Sequence, residues 1–278
     1  MKLKKKQAIH VAILDLYSGW ENQGMRCIRD IVAEFGMVND YKIISREFDV
    51  RQDNKLPDTD FDIYISTGGP GSPVESEGLE WDTLYFEWLK KMEKWNADPD
   101  NSRKKFIFFI CHSFQLACRH FKIADLAKRK SAAFGVFPVH LLQDGKNEPI
   151  FDGMADPFYA VDSRDYQVIR PDHSKIQEMG AKILCIEKER PHVPYERAIM
   201  GVRFNDYFIG TQFHPEADAV GMRLRLQTDE KKKTVVENYG FPKWESMIDQ
   251  LNDPEKILWT HDHILPNFLD IAINNLNT

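Results

Sequence analysis

Apolar residues recur along this chain with two different spacings that alternate. Residues 11–16 form a short apolar run, and beyond them Met25, Ile28, Ile31, Val32 and Phe35 fall on one face of a helix. Gly36 is expected to stop that helix. A second strand is expected over residues 41–48 and a third at 61–65, Phe-Asp-Ile-Tyr-Ile. The Gly/Pro/Ser loop 67–73 leads into a predicted helix over 79–95. Residues 106–110 read Phe-Ile-Phe-Phe-Ile, apolar at every position, as in a strand buried on both faces, and helical residues resume after Cys111. Such strand–helix alternation predicts a mostly parallel central sheet covered on both sides, an α/β/α sandwich.

From residue 131 to 213 the pattern changes to short strands and turns. Residues 201–204 and 207–213 read as a hairpin across Asn205-Asp206. The remainder is helical in pattern, and Leu265, Phe268, Leu269, Ala272 and Leu276 keep the spacing of a terminal helix docked on the core. The expected division is an α/β domain over 1–218 and a helical extension over 219–278 packed on the same domain. No internal repeat or low-complexity linker interrupts either part.

With 278 residues, 42% of them hydrophobic, the chain can bury a full α/β core. A net charge of -6 and a pI near 5.9 leave no broad basic surface for nucleic acid phosphates. The lysine runs at 2–6 and 231–233 read as solvated. Cysteines 27, 111, 118 and 185 lack CxxC spacing and read as reduced thiols of a cytoplasmic protein. The lysine-rich start precedes an apolar stretch with no small-residue cleavage site, so a first strand is expected rather than a signal peptide. No run is apolar enough to span a bilayer, and no membrane contact is expected. His261 and His263 flank Asp262, but this spacing does not converge on one helical face and no third ligand is evident, so neither metal nor other cofactor is expected.

Three segments hold candidate chemistry. Cys111 ends a buried strand and opens a helix, which puts it at the carboxyl edge of the sheet, where open α/β folds place ligands. A helix N-terminus there favours a thiolate. Cys118, seven residues on, reads as core. Ser66-Thr67-Gly68-Gly69-Pro70-Gly71-Ser72 follows another strand, and its bare amides could stabilise an oxyanion, worth roughly 3–4 kcal/mol per donor; an ordinary tight turn is the alternative. Gly210-Thr211-Gln212-Phe213-His214-Pro215-Glu216 supplies a base and, two residues later, an acid able to orient it.

Together these segments, over residues 9–218, resemble the class I glutamine amidotransferases, and in particular their stand-alone GMP-synthase-like domains. That family joins a Gly-Gly-Pro loop, an elbow written G-x-C-x-G-x-Q and a C-terminal Q-F-H-P-E, the last matched in full by Gln212 through Glu216. The resemblance implies a flavodoxin-like fold and a catalytic triad of Cys111, His214 and Glu216. By the same likeness, Cys111 attacks the side-chain amide of glutamine or another γ-glutamyl bond and forms a thioester. His214 would shuttle the proton, with Glu216 fixing its tautomer. The amides of Gly69 and His112 would make the oxyanion hole, and Gln115 would lie against the substrate. Water then releases glutamate, and the ammonia leaves or passes to a separate synthetase.

The departures from the family pattern are specific. Phe109 and Ser113 replace the two elbow glycines, so neighbouring residues must make room for the Phe109 ring. Asp162-Ser163-Arg164-Asp165 stands where many members carry a Ser-His pair that contacts substrate. Ser163 and Arg164 are therefore substrate-binding candidates, Arg164 through a bidentate carboxylate contact; a surface charge is the alternative reading of Arg164. The same stretch resembles the homoserine acyltransferases, which use Cys, His and Glu on a similar fold. A non-catalytic regulatory or binding protein of the amidotransferase type is the third reading. The extension is open to roles in packing, in covering the site or in a homodimer contact.

Overall fold

The computed structural model describes residues 8–20, 22–191, 196–253 and 256–276. In chain order the elements are β1 (Ile9–Asp15), α1 (Gly24–Val38), β2 (Ile43–Asp49), β3 (Ile63–Ser66), α2 (Glu80–Ala97), β4 (Phe106–Ile110), α3 (His112–Phe121), β5 (Ala124–Leu141) and α4 (Gln143–Lys146). There follow β6 (Phe158–Pro171), α5 (His173–Met179), β7 (Lys182–Glu187), β8 (Ile199–Arg203), β9 (Phe208–Thr211), α6 (Ala219–Gln227), α7 (Asp229–Tyr239), α8 (Phe241–Leu251) and α9 (Leu258–Leu276).

All nine strands form one sheet in the order β2-β1-β3-β4-β9-β8-β7-β5-β6. The first five run parallel. From β9 outward every pairing is antiparallel. The parallel half has the flavodoxin-like order, and its direction of winding reverses between β1 and β3, where such folds open a crevice at the carboxyl ends.

Side chains alternate across the pleat and separate two cores. Val11, Ile13, Ile63, Ile65, Phe108 and Ile110 pack on the side covered by α1 and α9. Ala12, Leu14, Tyr64, Ile107 and Phe109 pack on the side of α2 and α3. The spacing that predicted α1 is fulfilled by burial of Met25, Ile28, Ile31, Val32 and Phe35. On α9, Phe108 meets Phe268 with ring centroids 5.1 Å apart.

Two expectations are corrected. Gly36 does not stop α1, which runs to Val38. Its role is close approach: a methyl group at position 36 would lie 3.3 Å from the Ile43 side chain and from the Tyr41 carbonyl. The chain reverses instead at Asp40, with φ 54. Nor is the region after residue 131 built of short strands alone: β7, β8 and β9 are short, with 6, 5 and 4 residues, but β5 and β6 are not. β5 has 18 residues and pairs with the 14-residue β6 as a long antiparallel ribbon, broken in register between Lys128 and Ala133. That break and the many half-exposed polar positions hide the length of β5 from a period-2 reading.

This ribbon supports most of the C-terminal helices. Met222 and Leu226 of α6, Val235 of α7, and Met247 and Leu251 of α8 form a third cluster with Val136 and Val161. Among the described residues, no helix is long and apolar enough to cross a membrane.

Candidate active site

Cys111 sits between β4 and α3 with φ 50 and ψ -97, a conformation that non-glycine residues avoid. The surroundings enforce it. Cys111 N–H donates to the Thr211 carbonyl at 2.8 Å, and the Cys111 carbonyl accepts from Gln115 N–H at 3.0 Å. Ser113, in place of a glycine, tightens the turn: its Oγ accepts from Ile110 N–H at 2.9 Å and donates to the Ser66 carbonyl at 2.6 Å. The elbow is thereby pinned to the end of β3.

Room for Phe109 comes from the neighbouring strand. Phe109 pairs with Gly210 on β9. A methyl group on Gly210 would fall 2.8 Å from both the Cβ and the carbonyl oxygen of Phe109. The ring itself is fully buried against Phe204 and Phe208. Gly210 is thus the small residue that faces Phe109 across the ladder.

His214 follows β9, and its N–H donates to the Val161 carbonyl at 2.8 Å. Its Nδ1 meets Glu216 Oε1 at 2.8 Å. Burial alone would lower the proton affinity of His214, but the nearby charges of Glu216 and Cys111 raise it well above the ordinary value. The three residues proposed from the sequence are thus gathered at the carboxyl edge.

The Gly-Gly loop closes over Cys111 and His214. A methyl group on Gly68 would lie 2.8 Å from His214 Cε1 and 3.5 Å from both Cys111 Cβ and Tyr17 Oη. One on Gly69 would lie 2.3 Å from the Leu16 carbonyl. Among the described residues neither the Gly69 nor the His112 amide has an acceptor, so both remain available to an oxyanion.

The remaining candidates fall into two groups. The Ser163 carbonyl lies 3.6 Å from Cys111 Sγ, while its side chain faces solvent. Gln115 is buried and donates to the Gln212 side-chain oxygen at 2.9 Å and to the Tyr166 carbonyl at 3.2 Å. Gln212 in turn sets its own amide 3.7 Å from Cys111 Sγ. Arg164 is no surface charge: its side chain is 1% exposed, and its Nε donates to both oxygens of Asp162 at 3.0 Å. Among the described residues its two terminal nitrogens are buried without a hydrogen-bond partner, Nη2 standing 3.5 Å from Glu187 Oε1. The surface reading fails because β6 turns this position into the space beneath Glu187.

Two contributors were missed in the sequence. Gln212 was read only as part of a motif, although it touches the thiol. Tyr17 gave no signal, because it reaches the site only through the ends of β1 and β3. Burial pushes the Tyr17 phenol well up, and the charges of Glu216 and Cys111 push it the same way, so the hydroxyl stays protonated beside the pair. Tyr17→Phe, which removes the hydroxyl beside Gly68 and with it one hydrogen bond it could give a bound substrate, is expected to lower turnover about tenfold, with stability close to wild type. An unchanged rate would remove Tyr17 from the site.

The other thiols are inert by burial. Cys27 is pushed up to about 12 by burial and by Asp218. Cys118 and Cys185 are raised well above the ordinary range by burial. A small alkylating reagent on the native protein is therefore expected to add one group per chain, at Cys111, as read by intact and peptide mass spectrometry. Labelling elsewhere first would contradict this.

A flavodoxin-like sheet with thiol, imidazole and carboxylate gathered at its carboxyl edge defines the class. The chain belongs to the class I glutamine amidotransferase family, which matches residues 12–229. It is similar to homoserine O-acetyltransferases of Acetivibrio thermocellus (32% identical over 126 residues, 45% of this chain and 38% of the relative) and Phocaeicola vulgatus (24% over 218 residues, 74% and 64%). The chain therefore spans less than two thirds of the length of these relatives. In fold it is similar to a glutamine amidotransferase of Thermotoga maritima, with TM-score 0.67, 17% identity and coverage of 95% of this chain and 98% of the other.

Proposed function

We propose that this protein hydrolyses a γ-glutamyl amide, glutamine or a γ-glutamyl peptide, with Cys111, His214 and Glu216 as its catalytic residues. The observation that supports this is the hydrogen-bonded Glu216–His214 pair brought beside Cys111 on a strained elbow, with Gly68 packed against both His214 and Cys111. Cys111 Sγ attacks the amide carbon, and the oxyanion takes the amides of Gly69 and His112. His214 gives its proton to the leaving nitrogen as the C–N bond breaks, which leaves a thioester and free amine. Water then attacks the thioester, His214 takes its proton, and glutamate leaves as the thiol is restored. Ser163, through its carbonyl beside Sγ, and Gln115, acting through Gln212, shape the same pocket. Where the amine is ammonia, a separate synthetase is the partner that would use it. Residues 219–278 serve as a helical extension packed on the same domain.

Arg164 favours a second reading. A buried guanidinium with two open donors suits a substrate carboxylate. The relatives named homoserine O-acetyltransferase suggest that an acyl group on Cys111 passes to a hydroxyl rather than to water. A screen of glutamate release over glutamine and γ-glutamyl peptides, run beside acyl-CoA hydrolysis, separates the two. Glutamate release that is absent from the Cys111→Ala protein supports the first; acyl-CoA turnover alone would overturn it.

A further inference from the structure

A cleft of about 220 Å³ opens one residue away from the thiol's contacts. Asp162 and Met200 line it. The first precedes Ser163, whose carbonyl faces Sγ. The second accepts at its carbonyl from Gln212 N–H at 2.8 Å. Its far wall comes from the extension, through Val235 of α7 and Lys243 and Met247 of α8.

Positive charge exceeds negative here. Among the described residues, Arg129, Lys188, Arg190 and Lys243 line the cleft against Asp162 and Glu187. Arg164 adds a fifth cation behind the floor, with Nη2 3.5 Å from Glu187 Oε1 and no hydrogen bond at either terminal nitrogen. Arg129 and Arg190 share that same carboxylate, at 3.3 and 3.0 Å. Arg190 Nε is also buried without a hydrogen-bond partner among the described residues. The Lys188 and Lys243 ammoniums stand 5.2 and 5.8 Å from the Phe137 ring centroid, and neither has a carboxylate partner among the described residues. Unpaired buried donors of one sign are costly unless something completes them.

We propose that this cleft binds the phosphate or carboxylate group of a small ligand, between Arg190, Lys188 and Lys243, with the apolar part of the ligand on Phe137. The site joins the α/β core to the extension, so that α8 holds one of its cations. Because its lining includes none of Cys111, His214 and Glu216, anion binding stands apart from the thiol chemistry proposed above.

Calorimetric titration of the full chain at low salt tests this, with inorganic pyrophosphate in one arm and glutarate in the other. One saturable site is expected for at least one anion, and the arm that binds identifies phosphate or carboxylate as the recognised group. The K188M/K243M protein, which keeps both methylene stems, should lose at least tenfold in association constant. A K90M/K94M protein, with the same charge change on α2, should bind as wild type, and so should Cys111→Ala. Thermal unfolding with and without the anion gives a second readout: the stabilising shift should vanish in K188M/K243M alone. Affinity unchanged in K188M/K243M, an equal loss in K90M/K94M, or no binding of either anion tighter than about 10 mM would overturn the proposal.

Discussion

Replacing Cys111 by alanine is expected to bring glutamate release down to the protein-free blank, a loss of about four orders of magnitude or more. The other three thiols cannot substitute, since burial keeps them protonated. His214→Asn should lose nearly as much, because it removes the imidazole that Glu216 Oε1 holds beside the thiol. Glu216→Gln should cost less, about two to four orders, since it disturbs the tautomer and charge of His214 and leaves the nucleophile in place. The pair Cys111→Ala/Glu216→Gln should be no worse than Cys111→Ala alone, as residues acting as one unit are not additive. Steady-state glutamate release, with circular dichroism to verify folding, is the measurement. Residual turnover above about 1% in folded Cys111→Ala would place the chemistry elsewhere.

What the sequence made legible was local. A run such as Phe106–Ile110, apolar at each position, permits little besides a buried strand, and it fixes where Cys111 must lie. The Gly-Gly-Pro loop and the Gln-Phe-His-Pro-Glu segment could be read because each is a contiguous pattern at a strand end. Tyr17 could not be read, since its nearness to Cys111 depends on the β1/β3 register, a contact between distant segments. Arg164 could be named as a candidate from its place in the chain, but nothing local told it from a surface arginine. Its burial follows from the ribbon of β5 and β6 and from Glu187 on β7, none of which shares a local period with it. Gly36 misled because a glycine near a helix end normally stops the helix, whereas here it lets α1 approach β2. Local pattern identifies which residues can react; the supporting contacts arise only when the sheet brings distant segments together.

The replacement of an elbow glycine by Phe109 predicts a coupling between two strands. Phe109→Gly should destabilise the protein by about 3–5 kcal/mol for the lost ring and roughly 0.5–1 kcal/mol more for glycine in a strand. Gly210→Ala should cost about 1–3 kcal/mol, because the new methyl must displace a backbone carbonyl as well as a side chain. The Phe109 Cβ and oxygen are each 2.8 Å from that methyl, and Phe114 Cδ2 is 3.1 Å away. In the Phe109→Gly background the Cβ contact is gone and β4 has slack to move. Gly210→Ala should therefore cost about 1 kcal/mol less there than in the wild type. Urea unfolding of the four proteins gives the cycle directly. Equal costs in both backgrounds would mean that Gly210 is not what accommodates the ring. A coupling of the expected sign means that one small residue per strand pair suffices at this elbow, on either strand, for the turn to close and the thiol to stand at the sheet's edge.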